Sequence, residues 1–201
     1  MAKMKLGILI MVFALGLHGA GWSLNAGADI GFVSMDYMND LLQEAGLRAG
    51  MSVVPMRTAL AWDVQLRPWP FLGIGVARLA TSGRLVGRDE QGLSTEAYIF
   101  QGDLGIKTIF FGQTLHVSLS LGVIWSTTAG LVEGRGWGWN TSLTVAWPAL
   151  HFLNLNLGVK AGYRWAVVPA LQTAREELRP VQRPVLDFSG PFWGIVVCWE
   201  G

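Results

Sequence analysis

The sequence predicts an all-β fold: an eight-stranded antiparallel up-and-down transmembrane β-barrel with a short helix in its first long loop. Three observations carry the prediction. Apolar and small polar residues alternate in runs of about ten, the connections between runs alternate long and short, and aromatic residues gather at the run ends. Period two is strand geometry, with successive side chains on opposite faces. A run of about ten residues that is apolar on one parity suits a tilted strand crossing a bilayer.

Ahead of the first run lies a leader, residues 1–21. Lys3 and Lys5 are its only charges, Leu6 to Leu17 is continuously apolar, and Gly19, Ala20 and Gly21 are small. That is the layout of a secretory signal peptide cleaved after Ala20 or Gly21. Its apolar stretch falls short of the roughly 20 residues a spanning helix needs. Residues 22–201 are the expected barrel domain.

The first run is Trp22 to Phe32, with Trp22, Leu24, Ala26, Ala28, Ile30 and Phe32 on one parity and Ser23, Asn25, Gly27, Asp29 and Gly31 on the other. The second, Met56 to Arg67, sets Met56, Thr58, Leu60, Trp62, Val64 and Leu66 against Arg57, Ala59, Ala61, Asp63, Gln65 and Arg67. Pro68-Trp69-Pro70 ends it, because proline lacks the donor a ladder requires. The third, Phe71 to Ala80, opposes Leu72, Ile74 and Val76 to small residues, with Arg78 on the apolar parity snorkelling toward headgroups.

The fourth run is Glu96 to Phe110, with Tyr98, Phe100, Leu104 and Ile106 against Gln101, Asp103, Gly105 and Lys107. A short turn at Phe111-Gly112-Gln113 leads to the fifth, Thr114 to Ser126. The sixth, Trp137 to Trp147, is followed by a turn at Pro148 to His151. The seventh, Phe152 to Val167, alternates most regularly: Leu153, Leu155, Leu157, Val159, Tyr163 and Trp165 oppose Asn154, Asn156, Gly158, Lys160, Gly162 and Arg164. The eighth is Phe188 to Trp199.

The long connections are Val33 to Pro55, Thr81 to Thr95, Thr127 to Gly136 and Val168 to Asp187. Long loops on one side and tight turns on the other are the habit of bacterial outer-membrane barrels, and an even strand count puts both ends of the chain on the periplasmic side. In the first long loop Asp36 to Ala45 reads as a helix, capped by Ser34 or Asp36 and stopped by Gly46, with Met38, Leu41, Leu42 and Ala45 as its apolar stripe. It is either a lid on the barrel mouth or a docking surface. The fourth loop, Ala174 to Arg183, mixes Glu176 and Glu177 with Arg175, Arg179 and Arg183, a solvated segment whose arginines suit lipopolysaccharide phosphates.

The rival architecture is a soluble eight-stranded barrel of the lipocalin kind, with the apolar face inside. Two features oppose it. The polar face is mostly Gly, Ser, Asn and Ala, a poor water-facing skin but a good filling for a narrow lumen. The aromatics at run ends, Trp22, Phe32, Trp62, Trp125, Trp137, Trp147, Phe152, Trp165, Trp193 and Trp199, form the two girdles of a membrane barrel.

Over residues 22–201 the chain resembles the small outer-membrane barrels of the OmpA/OmpX type. Its last strand, with Phe192, Gly194, Val197 and Trp199 in the pattern F-x-G-x-x-V-x-W, is similar to the terminal signal read by the barrel assembly machinery, although that signal has a polar residue where Phe192 stands and ends on an aromatic rather than on Glu200-Gly201. The resemblance implies a Gram-negative cell-envelope protein surrounded by outer-membrane lipid and lipopolysaccharide, with a structural or interaction role. A small channel or carrier for apolar molecules and a lipid-modifying enzyme are the alternatives.

Composition agrees. Charged residues are 14% of the chain, well below the quarter typical of soluble domains. Removing Lys3 and Lys5 from the fifteen basic residues leaves thirteen against fourteen acidic, a formal charge of −1. With no polybasic block, nucleic acid is not an expected partner. A single cysteine, Cys198, excludes an internal disulfide, and no spaced His or Cys pair suggests a metal; no cofactor is expected.

The polar parity carries Asp29, Asp63 and Asp103 with Arg57, Arg67, Lys107, Lys160 and Arg164. In a narrow lumen such charges must pair or bind water. The expectation is an internal salt-bridge network, with Asp63, Asp103 and Lys160 joined near mid-height. His116-x-Ser118 is similar to the His-x-Ser element of outer-membrane lipid A deacylases, but both residues fall on the lumen parity beside a periplasmic turn. No catalytic residue is assigned.

Overall fold

A computed structural model of the chain describes residues 21–87, 92–110, 113–131, 133–169, 171–173 and 185–201. Residues 1–20 of the leader, the Phe111-Gly112 turn and the charged segment Ala174 to Arg183 lie outside the described residues.

Strand β1 (Ser23–Phe32) is followed by helix α1 (Asp36–Ala49) and the short β2 (Ser52–Val54). Then β3 (Thr58–Trp69), β4 (Leu72–Val86), β5 (Gly92–Phe110), β6 (Gln113–Gly130), β7 (Gly134–Phe152) and β8 (Leu155–Val168) run up and down. Two dipeptide strands, β9 (Gln172–Thr173) and β10 (Leu186–Asp187), precede β11 (Gly190–Glu200). Eight of these close a ring in the order β1, β3, β4, β5, β6, β7, β8, β11, every pair antiparallel, with β11 bonded to both β8 and β1. Closure leaves the eight-stranded ring without an edge, the condition for strands in lipid. The short strands extend the rim: β2 pairs with β4, β9 with β7 and β10 with β8.

Several boundaries differ from those read in the sequence. β3 runs through Pro68 to Trp69, because β1 stops pairing at Ser23 opposite Arg67 and the register with β4 shifts between Leu66 and Trp69. At such an irregularity proline costs no ladder bond. β7 likewise passes Pro148 by a register shift between Pro148 and Leu150, so the expected turn at Pro148 to His151 is strand, and the turn is Leu153-Asn154, with Leu153 at φ 54°. Helix α1 extends to Ala49 instead of stopping at Gly46, and neither Ser34 nor Asp36 caps it: the N-cap is Met35, with no side-chain bond. The left-handed residue that ends it is Gly50, at φ 63°. Asn39 ties the helix to the wall, donating from Nδ2 to Met56 O at 3.0 Å and accepting from Met56 N–H at 2.7 Å.

The largest departure is in the long loops. Thr81 to Thr95 and Thr127 to Gly136 are mostly wall: β4 and β6 continue to Val86 and Gly130, and β5 and β7 begin at Gly92 and Gly134. The cause is a reversal of polarity along each strand. Val64, Val76, Phe100, Val123 and Trp139 are cross-strand neighbours on the outer face, all apolar and exposed. The next outward row toward the helix end is Trp62, Arg78, Tyr98, Trp125 and Trp137, and the one beyond it is Leu60, Ala80, Glu96, Thr127 and Arg135. Beyond that the outside is Ser82, Arg84 and Ser94, while Leu79, Leu85, Leu93, Ile99 and Ile124 are buried inside.

The barrel therefore has two sections. Near the chain ends it is apolar outside and polar inside; toward α1 the outer face of β4 to β7 turns mostly polar, although Val54 and Val86 stay exposed, and the interior is packed with a conventional core. Met35, Met38, Leu42 and Met56 join Val168, Leu186 and Phe188 in that core. Burying Met38 and Leu42 completely contributes about 1.5–3 kcal/mol each, so α1 is a packed plug rather than a loose lid.

Candidate functional site

Polar groups collect in the lumen below the plug. Asp29 on β1, Gly194 on β11 and Lys160 on β8 are consecutive cross-strand partners. Gly194 has no side chain, so the Lys160 ammonium reaches over it to Asp29 Oδ2 at 2.9 Å. Lys160 also pairs with Asp63 on β3. Gly27 opens the space for that crossing: a Cβ there would stand 2.7 Å from Lys160 Nζ and 3.0 Å from Asp63 Oδ1. Arg164, four residues along β8 from Lys160 on the same face, reaches Asp29 Oδ1 at 3.4 Å and lies with its guanidinium carbon 4.7 Å from the centre of the Phe192 ring. The side chains of Asp29, Lys160 and Arg164 are 1%, 7% and 10% exposed.

Asp103 does not join Lys160. Arg67 donates to its Oδ2 at 2.6 Å and Ser120 to its Oδ1 at 2.8 Å, forming a second cluster across β3, β5 and β6. Asn140 donates to Gln101 at 3.1 Å nearby. Three cations and three carboxylates thus neutralise one another in a narrow space, the arrangement that makes buried charge tolerable.

Two expected members lie elsewhere. Lys107 is exposed at the turn end, where it pairs with Glu200 at 3.0 Å. Arg57 sits ahead of β3 on the exposed rim while Met56 turns inward to the core, because regular strand alternation begins only at Thr58. Ser120 and Gly27 are the residues that sequence reasoning did not single out, and Gly194 was read only as part of the terminal pattern. Ser120 was legible only as one more small polar residue, and Gly27 only as a gap in a polar parity.

A cavity of about 80 Å³ runs among these charges, lined by Asp29, Asp63, Lys160 and Arg164 and, toward the turn end, by Asn25, His116, Asn156 and Cys198. Asn25 Oδ1 and Arg67 Nε are buried there without protein partners. The space admits a few waters, which such atoms require. His116 and Ser118 line this cavity, not the lipid-facing surface, and the carboxylate whose charge reaches His116, Glu200, is already paired with Lys107. Among the described residues no group of three His, Cys, Asp or Glu side chains is placed to hold a metal.

Trp62, Trp125 and Trp137 share one row, with Tyr98 5.8 Å from Trp125 and Trp125 6.3 Å from Trp137, and Trp165 and Trp193 continue the exposed belt on β8 and β11. Trp22 and Trp199 meet edge-on at 5.4 Å at the opposite end, with Trp147 exposed on β7. On β11, Phe192 and Gly194 face the lumen, Trp199 faces outward, and Val197 shares its parity.

Comparison with solved structures places this architecture. The crystal structure of Neisserial surface protein A matches 90% of this chain and 97% of its own, at 9% identity and a TM-score of 0.51. The fold is that of the small eight-stranded outer-membrane β-barrels. The outer membrane protein OprG from Pseudomonas aeruginosa matches 90% of this chain and 96% of its own, at 10% identity and a TM-score of 0.47. Ail, the attachment invasion locus protein of Yersinia pestis, solved with the heparin analogue sucrose octasulfate, matches 90% and 99% at 8% identity and a TM-score of 0.48. No protein-family model matches the chain. No curated protein matches it either.

Proposed function

We propose that this protein is a non-enzymatic outer-membrane barrel whose role is structural and interactive: a rigid wall that presents its rim and surface to lipid or to partners at the cell surface. Residues 1–21 act as a cleaved signal peptide, and the β11 pattern Phe192, Gly194, Val197 and Trp199 serves recognition by the barrel assembly machinery. The turns and chain ends face the periplasm; α1 faces outward. The lumen clusters of Asp29, Asp63, Lys160 and Arg164 and of Arg67 and Asp103 brace the wall rather than carry solute.

One observation supports this reading above the others. The lumen is crossed by the Lys160 bridge and filled above it by Phe188, Ile99, Ile124, Met38 and Leu42, each no more than 1% exposed. Eight strands leave an interior just wide enough for side chains. Purified protein in a planar lipid bilayer is expected to produce no discrete conductance steps. Reproducible steps would overturn the structural role in favour of a small channel.

A further inference from the structure

Seven of the eight junctions in the ring join strands that follow one another around it along the chain; the eighth, β1 with β11, has no connecting segment. That seam is also short, with nine residue pairs against the eighteen that join β5 to β6. A hairpin reforms across a few residues, whereas the seam reforms only by closing the whole chain, at a larger cost in loop entropy.

The lumen charges gather at this seam. Lys160–Asp29, Lys160–Asp63 and Arg164–Asp29 all leave β8 and end on β1 or β3, so each passes over β11. The strand beneath them brings no charge of its own: no acidic or basic residue stands between Gly190 and Cys198. Gly194 on β11 and Gly27 on β1 leave the crossing clear of side chains. Phe192 holds the remaining space. Its ring lies over Gly162 of β8, where an added Cβ would stand 2.7 Å from Cζ, and the Arg164 guanidinium rests against its other neighbours at 4.7 Å from the ring centre. At the turn end Glu200 of β11 pairs at 3.0 Å with Lys107 of β5, four strands away in either direction around the ring. The Arg67–Asp103 pair, by contrast, joins β3 to β5 away from the seam.

We infer that Lys160, Arg164, Asp29 and Asp63 form an ionic latch on the β1–β11 seam, completed only when β11 has inserted and holding the wall against opening beside it. The inference deepens the structural role proposed above by giving the brace a location. With β11 withdrawn, β8 and β1 are separate edges and their charges are solvated apart. With β11 in place, they meet across a neutral strand. Opening the seam pulls β1 and its Asp29 from Lys160 and Arg164 and strands buried charge. Opening the wall between β5 and β6 separates none of the three pairs. The latch therefore acts on one junction, the one that no hairpin tethers.

The test is amide hydrogen exchange of the folded full barrel in detergent, read by mass spectrometry on its peptides. Lys160→Met is expected to speed exchange in β1 and β11 about tenfold or more, while β5 and β6 change by less than about twofold. Asp103→Asn, which breaks the pair away from the seam, is expected to leave β1 and β11 at their unaltered rates. Equal acceleration around the whole ring in Lys160→Met, or a seam opened as far by Asp103→Asn, would overturn the latch. If Lys160→Met does not fold, Asp63→Asn carries the same comparison, since it keeps Lys160 paired with Asp29; a smaller acceleration confined to the seam is expected, and a uniform one or none counts against the latch. A lowered melting midpoint with uniform exchange would keep the brace and remove the latch, so the two failures are distinguishable.

Discussion

Replacing Lys160 with methionine removes a cation shared by two strands' carboxylates across the lumen. Asp63 then loses its ion-pair partner, while Asp29 keeps only Arg164 at 3.4 Å. Removing one member of a buried pair typically costs about 3–5 kcal/mol, because the remaining charge is stranded. The Asp63 side chain is 12% exposed and borders the polar cavity, so water relieves part of the penalty and the cost falls near about 3 kcal/mol. In a chain of this length each kcal/mol moves the melting midpoint by roughly 2–4 °C, so the loss is about 6–12 °C. The assay is the temperature at which the compact gel band of the folded barrel converts to the unfolded one. A double variant, Lys160→Met with Asp63→Asn, removes the stranded charge and is expected to recover about half the loss. A midpoint unchanged by Lys160→Met, or a double variant no better than the single one, would refute the account of the lumen as an electrostatic brace.

Two other perturbations probe separate parts of the argument. Gly27→Val places a branched side chain where the Lys160 amine now crosses, 2.7 Å from the first added carbon, and is expected to cost about 1–3 kcal/mol in urea unfolding; a neutral result would mean the crossing is not crowded. Asn39→Ala breaks both bonds to the Met56 backbone and is expected to raise amide exchange across Met35 to Met56, at a cost of about 1–2 kcal/mol, while the β5–β8 amides stay protected; equal exchange throughout would show that α1 and the barrel open together.

How far the sequence could be read depended on whether one burial rule held along a segment. Leu155 to Trp165 obeys a single rule, apolar toward lipid and polar toward the lumen, and its alternation was plain. Leu93 to Ile106 obeys two. Leu93, Ala97 and Ile99 point inward and Phe100, Leu104 and Ile106 outward, so the apolar parity changes between Ile99 and Phe100 without a break in the strand. A reader who expects one membrane rule sees the first part as a loop. The doublet Ile99-Phe100, two large apolar residues in succession, is the visible mark of the change. The lumen clusters were legible by type but not by partner. Parity assigns Asp103 and Lys160 to the interior, but only the register and tilt of the closed ring decide that Arg67, not Lys160, lies opposite Asp103. Pro68 and Pro148 misled for a related reason, since proline forbids a ladder bond only where one is due.

The polarity reversal also governs how this protein tolerates change. Leucine is at home at position 104, where it meets hydrocarbon, yet on the same strand face at position 94 it would stand in water. Aspartate would be ruinous at 104 and harmless at 94. No single hydrophobicity scale can therefore rank substitutions along β4 to β7. The ranking must be inverted as it passes the row of Arg78, Tyr98, Trp125 and Trp137, and a library built without that inversion would spend half its diversity on the wrong side of a solvent boundary.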